Sequence, residues 1–469
     1  MTKRTRNILF LILTILFFLI APSLIFYSEG WRFDLRTKRI VKVGGFYFRV
    51  FPKRAEILIN GREYKTDYFF GSLFIEGLLP REYQVKIEKE EFLPWEKRLK
   101  VREEETTKVE DVFLIPETVN FEILAKGIKD FVPSEDQEKM VLISEDEGWQ
   151  LKLLDQKENL VAHLLKEKEI EEGAELEKII FSPTKEVLIK ARTKKERKYF
   201  LLDLETTSLT ALDFLFSEQS EEIKVLEQSE RFLDSDLEEI SFSENGKKIF
   251  FRSENELFEA DLIKKSSTSL LENVICYKVK KPFIYYLDNS GFLFKTDLKG
   301  ERKEKLNRES FEIQEKDYEI YIFPSFTFLK TEDSLFLLDE EEGSFKEFSG
   351  FVKEIKISPD SKKLAFFGDH EIWIVFLTEI EKQPPKEKGE KLFLSRFAGK
   401  INEVYWYTQN YLIFNIGEEI KICEIDEVDK IQIWALKNIK GSKIFFNEES
   451  KRLYFLKEGN LFVTEKLIK

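Results

Sequence analysis

In KISPDSKKLAFFGDHEIWIVFL, Lys356 to Leu377, a polar turn, an apolar run, a second turn and a second apolar run follow in order. Ser358 and Asp360 are residues that bond their own backbone, and Pro359 presets φ for the first turn. Leu364-Ala365-Phe366-Phe367 then reads as a buried strand, and Ile372-Trp373-Ile374-Val375 as the next one. KLFLSRF (Lys391–Phe397) supplies a less regular strand beyond them.

The same order recurs along the chain. SFSENGKKIFFRSENELFEADL (Ser241–Leu262), FSPTKEVLIKARTKKERKYFLLDL (Phe181–Leu204) and FFNEESKRLYFLKEGNLFVTEKL (Phe445–Leu467) repeat it closely. Weaker copies run Val132–Asp155, Lys278–Leu298, Phe328–Phe348 and Trp406–Asp426. The units are spaced about 45 residues apart, the period of propeller blades. A four-stranded unit of this kind does not bury both of its faces alone, so the units must stack around a ring. The last copy ends at Lys469 with no outer strand of its own, while TVNFEILAKG (Thr118–Gly127) precedes the first copy and belongs to no other. That segment is expected to supply the missing strand and clasp the ring shut. Eight blades are expected, with seven as the alternative.

These turns resemble the WD-type and TolB-like β-propeller repeats, whose signature is a Ser-Pro-Asp-Gly-Lys-Lys-like turn before an apolar strand. Ser358-Pro359-Asp360-Ser361-Lys362-Lys363 is the nearest copy, and Ser243-Glu244-Asn245-Gly246-Lys247-Lys248 keeps the glycine but loses the proline. The resemblance implies a fold and says little of function, because such rings host unrelated roles.

At the other end, an apolar run from Ile8 to Tyr27 follows Lys3, Arg4 and Arg6. About 20 residues at about 1.5 Å each match a hydrocarbon core of about 30 Å. A signal-peptidase site would need small residues at the boundary, but Ala21-Pro22-Ser23 runs on into Leu24-Ile25-Phe26, so an uncleaved anchor is expected. Arg32, Arg36, Lys38, Arg39 and Lys42 on the far flank would, by a plain count, hold the bulk in the cytoplasm. A basic N-terminus before the first apolar run is nevertheless the usual export signal, and long domains translocate regardless of flanking charge. The expectation is a single-pass cell-membrane protein with its bulk extracytoplasmic.

Between anchor and ring, AEILINGREY places Ala55, Ile57 and Ile59 on one strand face and turns at Asn60-Gly61. Tyr83, Val85 and Ile87 alternate, as do Leu99 and Val101, and Phe92 and Trp95 flank Pro94. The whole reads as a small antiparallel sandwich. It resembles the PEGA domain through Pro52-Lys53-Arg54-Ala55, Ile57, Ile59, Asn60, Gly61, Thr66, Leu78-Leu79-Pro80, Tyr83, Val85 and Lys89–Trp95. Lys53-Arg54 replace the Glu-Gly pair that names the family, and Arg81 stands where a glycine usually follows Leu-Leu-Pro. The resemblance implies a structural or interaction module without catalytic residues. The chain is therefore read as all-β after its helix: residues 1–7 before the anchor, 8–27 anchor, 28–43 linker, 44–116 sandwich and 117–469 ring.

Chemistry is sparsely signalled. Charge is −13 and no basic face stands out, which argues against a nucleic-acid partner. Cys276 and Cys423 lie far apart and read as small buried hydrophobes, so they leave the redox compartment undecided. His163 and His370 are the only histidines, too few for an ordinary zinc site. No GxSxG, P-loop or GxGxxG occurs, and Glu145-Asp146-Glu147 lacks the ligand alternation of a calcium loop. No catalytic, cofactor or metal residue is assigned. The expected function is non-enzymatic: an envelope protein whose ring binds a protein or a cell-surface polymer. The alternative is a sugar or small ligand in the ring's channel, with Trp149, Trp373, Trp406 and Trp434 as candidate lining. A propeller hydrolase built on His163 or His370 ranks below both. Two insertions, Phe216–Glu239 and Glu379–Leu392, read as solvated loops, the first with one surface helix.

Overall fold

The computed structural model describes residues 3–216, 237–314, 317–381 and 384–468. A single helix, Lys3–Ser28, opens the chain. Thr5–Ser28 is long and apolar enough to cross a membrane, and its apolar span is left uncovered by the rest of the described chain, which meets it only at its last turn. Two hydroxyls within its apolar run are satisfied by the helix itself: Thr14 Oγ1 donates to Phe10 O at 2.9 Å and Ser23 Oγ to Leu19 O at 2.8 Å. The expected linker contains a separate two-stranded hairpin, Trp31–Asp34 with Arg39–Lys42.

The sandwich follows. One sheet orders Arg62–Lys65, Glu56–Ile59, Glu82–Glu88 and Trp95–Lys100; the other orders Ser72–Leu78, Gly44–Phe51 and Thr106–Phe113. Asn60 and Gly61 both take positive φ (47° and 81°), which is what a two-residue hairpin between paired Ile59 and Arg62 requires. The sandwich is not antiparallel throughout, because Gly44–Phe51 pairs parallel with Thr106–Phe113. A parallel pair needs a long crossover, and the intervening residues 52–105 provide one by building the whole of the other sheet.

Among the described residues the remaining strands sort into eight four-stranded sheets. Blade 1 spans residues 128–166, blade 2 175–211, blade 3 238–272, blade 4 274–305, blade 5 319–350, blade 6 354–396 and blade 7 401–440. Blade 8 orders Lys443–Asn447, Arg452–Lys457, Asn460–Thr464 and then Phe121–Lys126, so the early segment does complete the last sheet. First strands of neighbouring blades touch one another, which makes them the innermost. Apolar residues on facing blades fuse into shared cores, such as Phe367, Ile374 and Phe376 of blade 6 with Trp406, Leu412 and Phe414 of blade 7.

The turn that recurs in the sequence recurs as one set of bonds. Ser358 Oγ donates to Asp360 Oδ1 at 2.5 Å, accepts Lys363 N–H at 2.9 Å, and Ser361 takes φ of 56°. Ser134, Asp136, Gln137 and Lys139 repeat this in blade 1, and Ser243, Asn245, Gly246 and Lys248 in blade 3. Only blade 3 places glycine at the left-handed position among these three.

Two further expectations differ from the structure. The unit read from Phe328 is one strand out of phase, since blade 5 begins with Glu319–Phe323 and Phe328 lies in its second strand. The Phe323-Pro324-Ser325-Phe326 turn joins two aromatic strands without the Ser–Asp device, so it carries no marker. The Glu379–Leu392 loop is not simply solvated either: Lys386 is buried, and Ile380 bridges back to it. Most of the Phe216–Glu239 insertion lies outside the described residues.

Candidate interaction site where the sandwich meets the ring

Trp95–Lys100 is the edge strand of its sheet, and an open edge is a liability unless something covers it. Here the segment of blade 7 between Glu419–Glu424 and Ile433–Lys440 covers it with side chains. Glu96 N–H donates to Gln432 Oε1 at 3.1 Å, and Arg98 N–H to Asp429 Oδ2 at 3.0 Å. Strand alternation sends Trp95, Lys97 and Leu99 inward. Trp95 Nε1–H donates to Glu424 Oε2 at 2.9 Å. Lys97 Nζ lies 2.8 Å from Glu424 Oε1 and 2.9 Å from Asp426 Oδ2, and also donates to Asp426 O at 2.8 Å. The Lys97 side chain is 0% exposed and that of Glu424 3%. Burial pushes the Glu424 carboxyl up, and the Lys97 ammonium works against that shift.

Around this triad the two units share one apolar core. Phe46, Val85 and Trp95 of the sandwich are continuous with Tyr411, Trp434 and Phe446 of the ring. Tyr411 Oη accepts Phe113 N–H at 3.2 Å, and Asn438 both accepts Val119 N–H (3.0 Å) and donates to Val119 O (2.6 Å). Beside the triad lies a cleft of about 830 Å³ between Arg49, Arg102 and Lys108 on one wall and Phe376, Pro385 and Lys386 on the other. Lys386 is where the charged loop joins in. Burial pulls its ammonium down, but Glu390 at 2.6 Å and Glu427 outweigh that and hold it above its ordinary range.

The ring's axis carries the second polar feature. Glu239 on the innermost strand of blade 3 reaches sideways to accept Tyr277 N–H of blade 4 at 3.0 Å. Glu403 of blade 7 does the same for Ile444 N–H of blade 8 at 2.6 Å. Each therefore staples two neighbouring blades. Burial pushes Glu239 up to about 8, against its bond from Tyr277; Glu319 and Asp317 of the blade 5 region add to the rise, and Lys178 of blade 2 opposes it. Burial likewise takes Glu403 up to about 7, against Ile444 N–H, Lys443 and Lys356.

A carboxyl that holds its proton more tightly when folded contributes stability that is complete below its unfolded pKa. That stability is lost as pH rises through the folded value. Glu239→Gln with Glu403→Gln keeps both acceptors and removes both charges. Because the Glu239 side chain remains 28% exposed and lies 3.9 Å from Arg252 Nε, solvent screening and that cation reduce the effect. We expect the double variant to gain about 1–3 kcal/mol over the parent at pH 9 and nothing at pH 4. Urea midpoints at the two pH values measure it, and parallel pH dependence of parent and variant would refute it.

The sequence candidates fall elsewhere. His163 is exposed on the outer strand of blade 1, and His370 Nδ1 lies 3.2 Å from Phe397 O in a turn of blade 6. Trp149, Trp406 and Trp434 are buried between blades or against the sandwich, donating to Ala174 O, Lys356 O and Pro94 O. Trp373 stacks on Phe366 within blade 6. Cys276 and Cys423 are buried free thiols. No group of three or more His, Cys, Asp or Glu is placed to hold a metal among the described residues. Lys97 was the missed residue. Its signal was in the sequence, a cation at an inward position of the alternating WEKRLK strand.

No protein-family model matches the chain, and no curated protein matches it. Similar solved structures include the Dos1 propeller, 13% identical over 75% of this chain and 95% of that one, with a TM-score of 0.46. The WD40 domain of SCAP from fission yeast is 11% identical over 74% and 98% of the two chains, with a TM-score of 0.44. The computationally designed Ika8 protein is 12% identical over 72% and 96%, also at 0.44.

Proposed function

We propose that this chain is a non-enzymatic, single-pass membrane protein that holds a propeller outside the cytoplasm as a binding platform for a protein or cell-surface polymer. The observation that carries this reading is the continuous core between sandwich and ring. A tether that only anchored would not need the buried Lys97–Glu424 pair, whereas a platform held at a fixed height and tilt does. The PEGA-like reading of the sandwich is favoured by Arg54, which takes φ of 62° where that family carries its glycine. The ring's closed edges and exposed loops suit recognition. Phe351, in the loop joining blades 5 and 6, is 86% exposed and is the place to look for a contact.

The full chain is expected to resist carbonate extraction from membranes at its intact mass, and a form lacking residues 1–28 to appear in the soluble fraction. Protease added to intact cells should digest the ring. A shortened, freely soluble mature chain would identify the helix as a cleaved signal, and a protected ring would place it in the cytoplasm. A photo-crosslinking residue at Phe351 should trap one discrete species that the same residue at Ile263 does not; absence of any such species from all ring loops would remove the platform.

A further inference from the structure

The hairpin after the helix is unusual in what it leaves uncovered. Trp31–Asp34 and Arg39–Lys42 form a sheet of their own, paired as strands with neither sandwich sheet nor the ring; only its base is tied to the sandwich, by Lys42 to Glu104 and by Glu104 N–H to Val43 O. An isolated two-stranded hairpin is at best marginally stable in water. This one also presents Phe33, Leu35 and Ile40 at 57%, 82% and 66% exposure. Phe33 and Ile40 are direct cross-strand partners, and Trp31 pairs with Lys42. The register therefore places Trp31, Phe33, Ile40 and Lys42 on one face, and Leu35 is exposed in the turn that follows the first strand.

That face continues the helix surface. The Trp31 ring meets Phe26 edge-on at 6.4 Å, and the Arg32 guanidinium lies 3.4 Å over the Tyr27 ring while donating to Tyr27 O at 2.7 Å. Phe26 and Tyr27 stand in the last turn of the apolar helix. The hairpin thus begins at the depth where a bilayer core gives way to headgroups, the level that Trp and Tyr favour. Four strand residues at about 3.4 Å each keep its tip within about 14 Å of that level whichever way it points.

The turn is built to stay formed. Asp34 is buried, accepts Arg36 N–H at 3.0 Å and Thr37 Oγ1–H at 2.9 Å, and is held below its ordinary range by those bonds. Lys38 takes φ of 53° at the tip. Arg32, Arg36, Lys38 and Arg39 stand on this hairpin, four cations to the single carboxylate of Asp34, while Lys42 is paired with Glu104 of the sandwich, in a chain whose net charge is −13. The rest of so acidic a molecule is repelled by an anionic surface; this segment is attracted to one.

We propose that the hairpin is an interfacial foot. It lays Phe33, Leu35 and Ile40 into the headgroup region of the chain's own bilayer and sets Arg36, Lys38 and Arg39 among anionic lipid headgroups. The proposal rests on the anchored reading above and adds a second contact, which fixes the tilt of everything that follows. Long basic side chains bury their stems while their charge stays with the phosphates.

The full-length protein is placed in nanodiscs of phosphatidylcholine with about one part in four phosphatidylglycerol. An environment-sensitive fluorophore is attached to Leu35→Cys, with Ile15→Cys as the helix reference and Ile263→Cys as the aqueous one; the native cysteines are buried. The label at 35 is expected to be quenched several-fold more than that at 263 by lipids carrying a spin label near the headgroup. Arg36→Glu with Lys38→Glu and Arg39→Glu should abolish the excess, and pure phosphatidylcholine discs should reduce it. Aqueous emission at 35 with lipid-like emission at 15 would overturn the foot and leave the anchor standing. Aqueous emission at both would overturn the anchor and the foot with it. A shielded label at 35 that lipid quenchers do not reach would assign the face to a protein instead, and would also overturn the proposal.

Discussion

Replacing Lys97 with methionine should cost the folded chain about 3–5 kcal/mol, although methionine fills nearly the same volume. The cost comes from what is left behind. Glu424 is 3% exposed at its side chain, and its remaining partners are the N–H groups of Trp95 and Gln432. Without the ammonium it must either stay ionised in a poor dielectric or take up a proton. Burial already biases it toward the proton in the parent. The loss should therefore be smaller at pH 5 than at pH 8, because a folded-state carboxyl raised above its unfolded value costs stability as pH rises. Adding Glu424→Gln and Asp426→Asn should recover more than half of the loss, since neutral groups in the same places ask for hydrogen bonds only. Arg98→Ala is the control: Arg98 also pairs with this segment, through Asp429, but its side chain is 71% exposed and its removal should cost less than about 1 kcal/mol. Chemical denaturation with unchanged slope measures all three variants. A Lys97→Met protein within about 1 kcal/mol of the parent would show that the junction does not depend on the triad.

What the sequence disclosed, and what it hid, follows the range of the forces involved. The Ser–Asp turns are local: Ser358, Pro359, Asp360 and the Lys363 backbone are all within six residues, so their pattern is complete in the text of the chain. The same locality explains the one phase error, because Pro324 and Ser325 make their turn without any such bonds to advertise. The clasp at Thr118–Gly127 was legible by elimination, being an alternating segment with no other sheet to join. The parallel pairing of Gly44–Phe51 with Thr106–Phe113 was not, since alternation marks which face is buried but is silent on strand direction. The junction was hidden for a further reason. Glu424 and Asp426 sit some 330 residues from Lys97, as the separation of the Trp95 to Glu424 bond shows, and only the meeting of the two units gives that lysine its meaning. Glu403 is likewise an ordinary strand carboxylate until blade 8, the blade that completes ring closure, packs on blade 7 and brings the Ile444 amide beside it.

That closure carries the largest expected effect. Ending the chain after Gly459 removes Asn460–Thr464, the strand that lies between Arg452–Lys457 and the clasp Phe121–Lys126. Leu461 and Val463 are 0% and 1% exposed and pack in the core that joins blade 8 to Phe131, Met140 and Leu142 of blade 1. Each buried side chain of this kind is worth about 1.5–3 kcal/mol, and the clasp loses its whole hydrogen-bonded partner besides. The sum rivals the 5–15 kcal/mol that typically separates a folded domain from its unfolded chain. The seam is stitched elsewhere, by Lys443 to Asp130 at 2.5 Å and by Asn447 Nδ2 to Gln137 O at 2.6 Å, but these bonds presuppose a blade 8 that can still fold. The truncated protein should therefore lose its cooperative melt and become protease-sensitive throughout, not only near its end. Leu461→Ala, which leaves the strand in place, should cost about 2–5 kcal/mol and keep a single transition. In the opposite direction, Lys126→Cys with Asn460→Cys joins directly paired positions across the seam and should raise stability by up to about 5 kcal/mol when oxidised, reversibly with reductant. The reasoning is that a ring has no independent blade: each sheet buries its faces on two neighbours, so opening one seam exposes blades 1 and 8 and then every blade behind them in turn. A truncated chain that kept the parent's midpoint and single transition would mean that the blades stand without closure.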